Sequence, residues 1–510
     1  MQKPDARAPA ETSVLRGCRA TVIGLAPLFL LIALYAFRIP LGQPHFVLRY
    51  SSMLPSRLGR AGVGLLIGLV GVAALYHWLR CAKGAPLARV WAGASITLYV
   101  ALVFWTFFAP PAYVAQHSFN LLSPSHEGAF VVEARSVTSI RDYVSSTFYE
   151  RLGKTPEEMR GRRVLSNPPG MTVLSVLMNR LVRGAEALRS VLVSSFGLGE
   201  LDDFDQQTEF AAAMLLALLM TALWGASLAF GYGLCRLWLP PAAAATIAFC
   251  SVFNPATVNY TPGKDCVQLL TTLAVLYFWS KALLHKQARP AVMAGMAFVI
   301  SLLVGLVHVW IVVIIMAATL WDALRRGEGP RSAWRHCLLF FLMGAAGLSL
   351  AFYGTVGWNV LSTTYRIAVR YNEIQLPIIT EPFHWTLVGL PLFLLFAGPC
   401  FWVEATGVRR DLHDAPAALG GAVLVATGLA MLYSYFFANN SETVRLWIPF
   451  IPLLQWGMAL RRSPFRDDDP HARAFCLKLL VLQLAVTLVQ WSVMDVRESE
   501  WRLLSGRMWS

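Results

Sequence analysis

Five short stretches carry residue types able to do chemistry in a chain that is otherwise aliphatic and aromatic. In Ser125-His126-Glu127-Gly128 a carboxylate, Glu127, stands beside His126. A carboxylate reached by water can take a proton from a hydroxyl or hold a metal ion, although a solvated loop glutamate would look the same. Ser166-Asn167-Pro168-Pro169-Gly170 has two prolines that remove backbone donors and fix an extended entry, then a glycine that permits a turn. It reads as a helix start and a positioning element, not a catalyst. In Tyr260-Thr261-Pro262-Gly263-Lys264-Asp265 the acidic residue falls in the first turn of a long apolar helix. The helix dipole favours a carboxylate there, and an ionisable residue at membrane depth is also a functional candidate. His308 lies in an interruption, Gly305-Leu306-Val307-His308, where a hydrogen-bonded histidine packed between helices is the plain explanation. Finally, Ser441-Glu442-Thr443-Val444-Arg445-Leu446-Trp447 puts Arg445 three residues after Glu442 on one helical face. Arg445 is suited to a phosphate or pyrophosphate; an intrahelical ion pair beside an interfacial tryptophan is the alternative.

The elements that must position these residues are membrane helices. Of 510 residues 56% are hydrophobic and only 14% charged, too little charge to cover a soluble surface. The apolar residues form blocks of the length that crosses ~30 Å of hydrocarbon at ~1.5 Å per residue. The net charge of +14 sits in short clusters between those blocks, which fits the positive-inside rule and excludes a nucleic-acid face. The eight cysteines are scattered along the chain and imply neither a disulfide framework nor a metal cluster.

The pattern predicts an all-α, polytopic transmembrane protein with 13 spans: 20–37, 61–79, 90–110, 209–235, 238–257, 264–281, 291–305, 309–323, 336–356, 385–402, 417–437, 445–460 and 475–495. It divides into a cytoplasmic N-terminus (1–19), the first three helices (20–110), a long extracytoplasmic loop (111–208), a ten-helix region (209–495) and a tail (496–510). The basic run before Ala20 resembles a signal sequence but lacks a small-residue cleavage site, so it reads as an uncleaved first span. With that end inside, Lys and Arg in short loops favour the inside by about two to one. The basic flanks of 291–323 favour a helical hairpin bent at Gly305–His308 over one tilted helix. In the long loop, Val137, Ile140, Val144, Phe148 and Leu152 repeat at helical spacing opposite Arg141, Asp142, Glu150 and Arg151. This reads as an amphipathic helix on the membrane surface. Segment 171–189 is apolar but short, and is taken as non-spanning. All five motifs then fall near the outer face.

Taken together, the acidic loop motif, the Pro-Pro-Gly element, the Pro-x-x-Asp helix start and the late Glu-x-x-Arg-hydrophobic-Trp start resemble bacterial glycosyltransferases of the GT-C superfamily. That superfamily includes protein O-mannosyltransferases and the lipid A aminoarabinose transferase. Asn167 stands where the family usually has His, Ser441 where it has Gly, and His126-Glu127 where it has an acidic pair.

The resemblance implies an inverting transfer from a polyprenyl-phosphate sugar to a hydroxyl of a lipid, glycan or protein acceptor. The reaction would take place on the extracytoplasmic face of a bacterial-type plasma membrane, with membrane lipids and no nucleic acid as surroundings. It implies Glu127 as general base, with His126 and Asp265 in the catalytic set. Arg445, Lys264 and Glu442 would form the donor-phosphate site. His308, Asn167, Pro168, Pro169 and Gly170 would line the cavity. A divalent metal ion is the one cofactor in view, with Glu127 and His308 as its candidate ligands. Two other classes compete: a secondary transporter, which places ionisable residues at the bilayer midplane, and another lipid-linked enzyme such as a polysaccharide polymerase or ligase.

Overall fold

In hydrocarbon a backbone must satisfy its own hydrogen bonds, and this chain does so with helices. The computed structural model describes residues 11–37, 41–43, 46–50, 54–81, 128–154, 164, 167–196, 203–326, 330–379, 384–406, 415–434, 447–461, 465 and 470–495. His126, Glu127, Glu442, Arg445 and the expected span 90–110 lie outside these residues.

Helix α1 is Glu11–Ala36 and α2 is Leu54–Cys81; between them, strands β1 (Leu41–Gln43) and β2 (Phe46–Tyr50) pair antiparallel. The loop region holds α3 (Gly128–Arg135), then α4 (Ile140–Asp142), a π-helical turn (Tyr143–Thr147) and α5 (Phe148–Leu152). It continues with α6 (Gly170–Gly184) and α7 (Glu186–Phe196). The bundle comprises α8 (Phe204–Arg236), α9 (Pro241–Val252), α10 (Pro255–Asn259), α11 (Lys264–His285), α12 (Ala288–Leu302), α13 (Val307–Arg326) and α14 (Pro330–Val356). There follow α15 (Val360–Ile379), α16 (His384–Phe396), α17 (Gly398–Ala405), α18 (Ala415–Tyr433), α19 (Ile451–Leu460) and α20 (Pro470–Val493). Strand β3 (Met494–Asp495) joins β2. This short ribbon is a departure from the all-helical expectation.

Among the described residues eight helical segments are long and apolar enough to cross a membrane, and they coincide with eight of the expected spans. Exposed Leu339, Leu342, Met343, Leu350 and Tyr353 along α14 form the kind of surface that lipid covers. Helix α12 packs against α11 and α14, whereas α13 packs chiefly on α18, so the 291–323 run is broken as expected but its halves diverge to different neighbours. The expected span 385–402 is likewise broken, at Ala397, into α16 and α17.

Broken helices leave orphan backbone groups, and one side chain repairs two of them. Gln483 of α20 donates from Nε2 to the Phe253 carbonyl at the end of α9 (3.0 Å) and accepts from the Cys400 N–H in α17 (3.0 Å). Such amides inside a bundle are worth more as satisfied partners than as polar groups left in lipid.

One reading of the loop is corrected. The amphipathic stretch 137–152 does not offer its apolar stripe to lipid: Val144, Phe148 and Leu152 are buried in the protein core. Part of its cover is α15, which the sequence reading missed because Arg366, Arg370 and Glu373 dilute its apolar pattern. The Tyr149 hydroxyl meets Thr363 Oγ1 at 2.7 Å, Arg366 stacks over the Tyr149 ring at 4.6 Å, and Arg370 donates to the Lys154 carbonyl at 2.8 Å. Helix α6 has 15 residues. At ~1.5 Å per residue that is about 22 Å, short of a ~30 Å core.

Candidate functional site

Three motifs that lie far apart in sequence meet at one place. Pro168 and Pro169 carry no N–H, so the first donor of α6 is Gly170, and it points at the break between α12 and α13: Gly170 N–H bonds the Leu303 carbonyl at 3.0 Å. A Cβ at Gly170 would collide with that same carbonyl oxygen, so only glycine permits the approach. One residue pair further out, Lys264 at the start of α11 donates from Nζ to Asn167 Oδ1. The α12–α13 break is closed from the other side by α11. A Cβ at Gly305 would strike the Gln268 side chain, and His308 reaches Thr271.

His308 is 1% exposed. Its Nδ1 lies 3.0 Å from the Gly305 carbonyl, and its Nε2 lies 2.8 Å from Thr271 Oγ1 and 3.2 Å from the Gln268 carbonyl. The tautomer with Nδ1–H donating to Gly305 and Nε2 accepting the Thr271 hydroxyl satisfies both nitrogens. Both ring nitrogens are thus engaged within the protein, and the side chain pins the helix break. Among the described residues no three His, Cys, Asp or Glu side chains are grouped to hold a metal ion.

Asp265 is buried, 5% exposed, in the first turn of α11. Thus Asn167, Pro168, Pro169, Gly170, Lys264, Asp265 and His308 belong to one packed junction of α6, α11 and the α12–α13 break. Of the remaining expected site residues, Glu127 immediately precedes Gly128, the first residue of α3.

Helix α3 carries a carboxylate that the sequence reading missed. Glu133 is 6% exposed, pairs through Oε2 with Arg151, and is backed by Ser136, whose Oγ accepts from Arg151 at 2.9 Å. Burial pushes its carboxyl above the ordinary glutamate range, against the opposing pull of Arg151. The other oxygen, Oε1, lies in a shielded polar cluster in which the Tyr143 hydroxyl sits between Glu133 and the Thr172 hydroxyl. Burial beside Glu133 also raises the Tyr143 phenol far above its usual value. Tyr143 opens the π-helical turn, a feature often placed where a side chain must be re-aimed. The signal available in the sequence was a lone carboxylate inside the apolar run Ala129–Ala134, which needs a buried partner.

What this arrangement offers chemically is a half-buried ammonium at a helix N-terminus, held by a backbone junction that glycine alone permits. No protein-family model matches the chain, and comparison with curated proteins finds no match.

Proposed function

We propose that the protein is a membrane glycosyltransferase of GT-C type, with 13 spans and an extracytoplasmic active site, that moves a sugar from a polyprenyl-phosphate donor to an acceptor hydroxyl. The observation that carries this reading is the junction of the Asn167–Gly170 turn, the Lys264 helix start and the Gly305–His308 break. Three polar motifs at the ends of apolar helices are brought together there, as the transferase reading requires.

In this reading Glu127 takes the acceptor proton, and the acceptor oxygen attacks the anomeric carbon in line as the bond to the lipid phosphate breaks. The departing phosphate carries the bonding pair and is neutralised by Arg445 and by Lys264, one of whose three N–H donors is engaged by Asn167. Inversion follows from a single displacement.

A second reading, a secondary transporter, draws support from the helix breaks at Phe253–Asn254, Leu303–Leu306 and Ala397, since transporters build substrate sites from discontinuous helices. Proteoliposomes separate the two. The transferase reading expects label to pass from a polyprenyl-phosphate sugar to an acceptor without solute uptake; uptake without transfer supports the transporter.

A further inference from the structure

A concavity lies along the same helix, away from the junction. It has a volume of about 520 Å³ and sits between α3, the C-terminal half of α6 and the start of α8. Asn179, nine residues after Gly170, lines it, which at ~1.5 Å per residue places it about 14 Å along α6 from the junction.

Its lining is unusual for a small-molecule site, because it is polar on most sides. Arg135, Arg180 and Arg183 face Asp203, Asp205 and Glu209, so the formal charges cancel, three against three. These groups hold the walls together: Arg135 bonds Glu209, Arg183 bonds Asp205 at 2.6 Å, and Arg180 bonds the Thr138 carbonyl at 2.6 Å. Two amides, Asn179 and Gln206, complete the polar surface. Asn179 Oδ1 is shielded and has no hydrogen-bond partner among the described residues. Val137 and Val176 supply an apolar patch between them.

We infer that this cavity binds a neutral saccharide. A sugar hydroxyl both donates and accepts. Carboxylates accept, guanidinium groups donate, and amides do both, so this lining matches a ring of hydroxyls from any direction. The cancelled charge argues against a phosphate or other polyanion, which would be attracted by the arginines and repelled by as many carboxylates. Ligand sites commonly span ~300–1,000 Å³, a range that includes this one. Half-buried Val137 offers an apolar contact to one face of a pyranose. That this saccharide belongs to the acceptor rests on the transferase reading; that it binds does not.

The test uses the full chain in nanodiscs prepared without glycoside detergent, titrated calorimetrically with mannobiose, N,N′-diacetylchitobiose, maltotriose and inorganic phosphate. Saturable binding of at least one saccharide is expected, with none for phosphate. Asn179→Leu and Arg183→Gln should each weaken it by about tenfold, the scale of one or two lost hydrogen bonds. In the unaltered protein the bound saccharide should also protect Arg183 from phenylglyoxal, a readout independent of how the variants fold. No saccharide binding, phosphate binding as tight as saccharide, or absent protection of Arg183 overturns the inference. Saccharide binding without sugar transfer overturns the transferase reading alone, and transfer without saccharide binding overturns the cavity alone.

Discussion

Replacing Gly170 with alanine tests whether the junction of α6 with the α12–α13 break exists as described. The added Cβ meets the Leu303 carbonyl oxygen, so either α6 or the break must move. Forcing an extra carbon into a filled site costs roughly 1–3 kcal/mol. Movement also loosens the 3.0 Å bond from Gly170 N–H and leaves a buried carbonyl unsatisfied, roughly another 1–3 kcal/mol. Alanine's better helix propensity returns up to ~1 kcal/mol, leaving a net loss of about 1–6 kcal/mol. The same helix supplies its own control: a Cβ at Gly184, the last residue of α6, meets nothing within 4 Å. Thermal unfolding of the purified protein should therefore show a lower Tm for Gly170→Ala and an unchanged or slightly higher one for Gly184→Ala. Equal Tm values for Gly170→Ala and the unaltered chain, or equal losses for both variants, would refute the packing argument.

Three further outcomes follow from particular contacts. Gln483→Leu strands the Phe253 carbonyl and the Cys400 N–H at once, so unfolding in detergent should show a loss of roughly 2–6 kcal/mol; a loss below 1 kcal/mol on that assay would contradict it. Because the folded protein holds a proton on Glu133 more tightly than the unfolded chain does, stability attached to this group is present at low pH and lost as pH rises through its elevated titration. Glu133→Gln carries no such titration, so the Tm difference, unaltered chain minus variant, should fall with rising pH above the ordinary glutamate range; a flat or rising difference refutes this. If Arg445 grips the donor phosphate, Arg445→Leu should abolish donor use and adding Glu442→Leu should rescue nothing, whereas rescue would mark the two as a mere ion pair.

Much of the helical layout was legible because hydropathy and length are written directly into the chain, and the eight coinciding segments are those whose apolar run is unbroken or only briefly kinked. The Pro-Pro-Gly element and the interruption before His308 were legible as breaks, since proline and glycine act locally. Which groups they would meet was not: the pairing of Gly170 with Leu303, or Asn167 with Lys264, joins residues more than ninety positions apart, and no local pattern encodes it. Helix α15 was missed because its charges are spread over an amphipathic face that packs on the loop helices. Glu133 was missed because its partner Arg151 reads, in sequence, as part of a solvated face. The surface role given to residues 137–152 failed for a related reason, since periodicity identifies an apolar stripe without saying whether lipid or protein covers it.

In the proposed transferase, Glu127, the residue before Gly128, is the base for sugar transfer from a lipid-linked donor. The most direct test is the single-turnover rate of transfer from a polyprenyl-phosphate sugar by reconstituted protein, compared with Glu127→Gln. The carboxamide keeps the shape but accepts no proton, so the chemical step should fall by about 10²–10⁴-fold with donor binding retained and with an inverted product from the unaltered protein. Transfer by Glu127→Gln at a normal rate would remove Glu127 as the base and make Asp265 the next candidate, and a retained anomeric configuration would contradict single displacement.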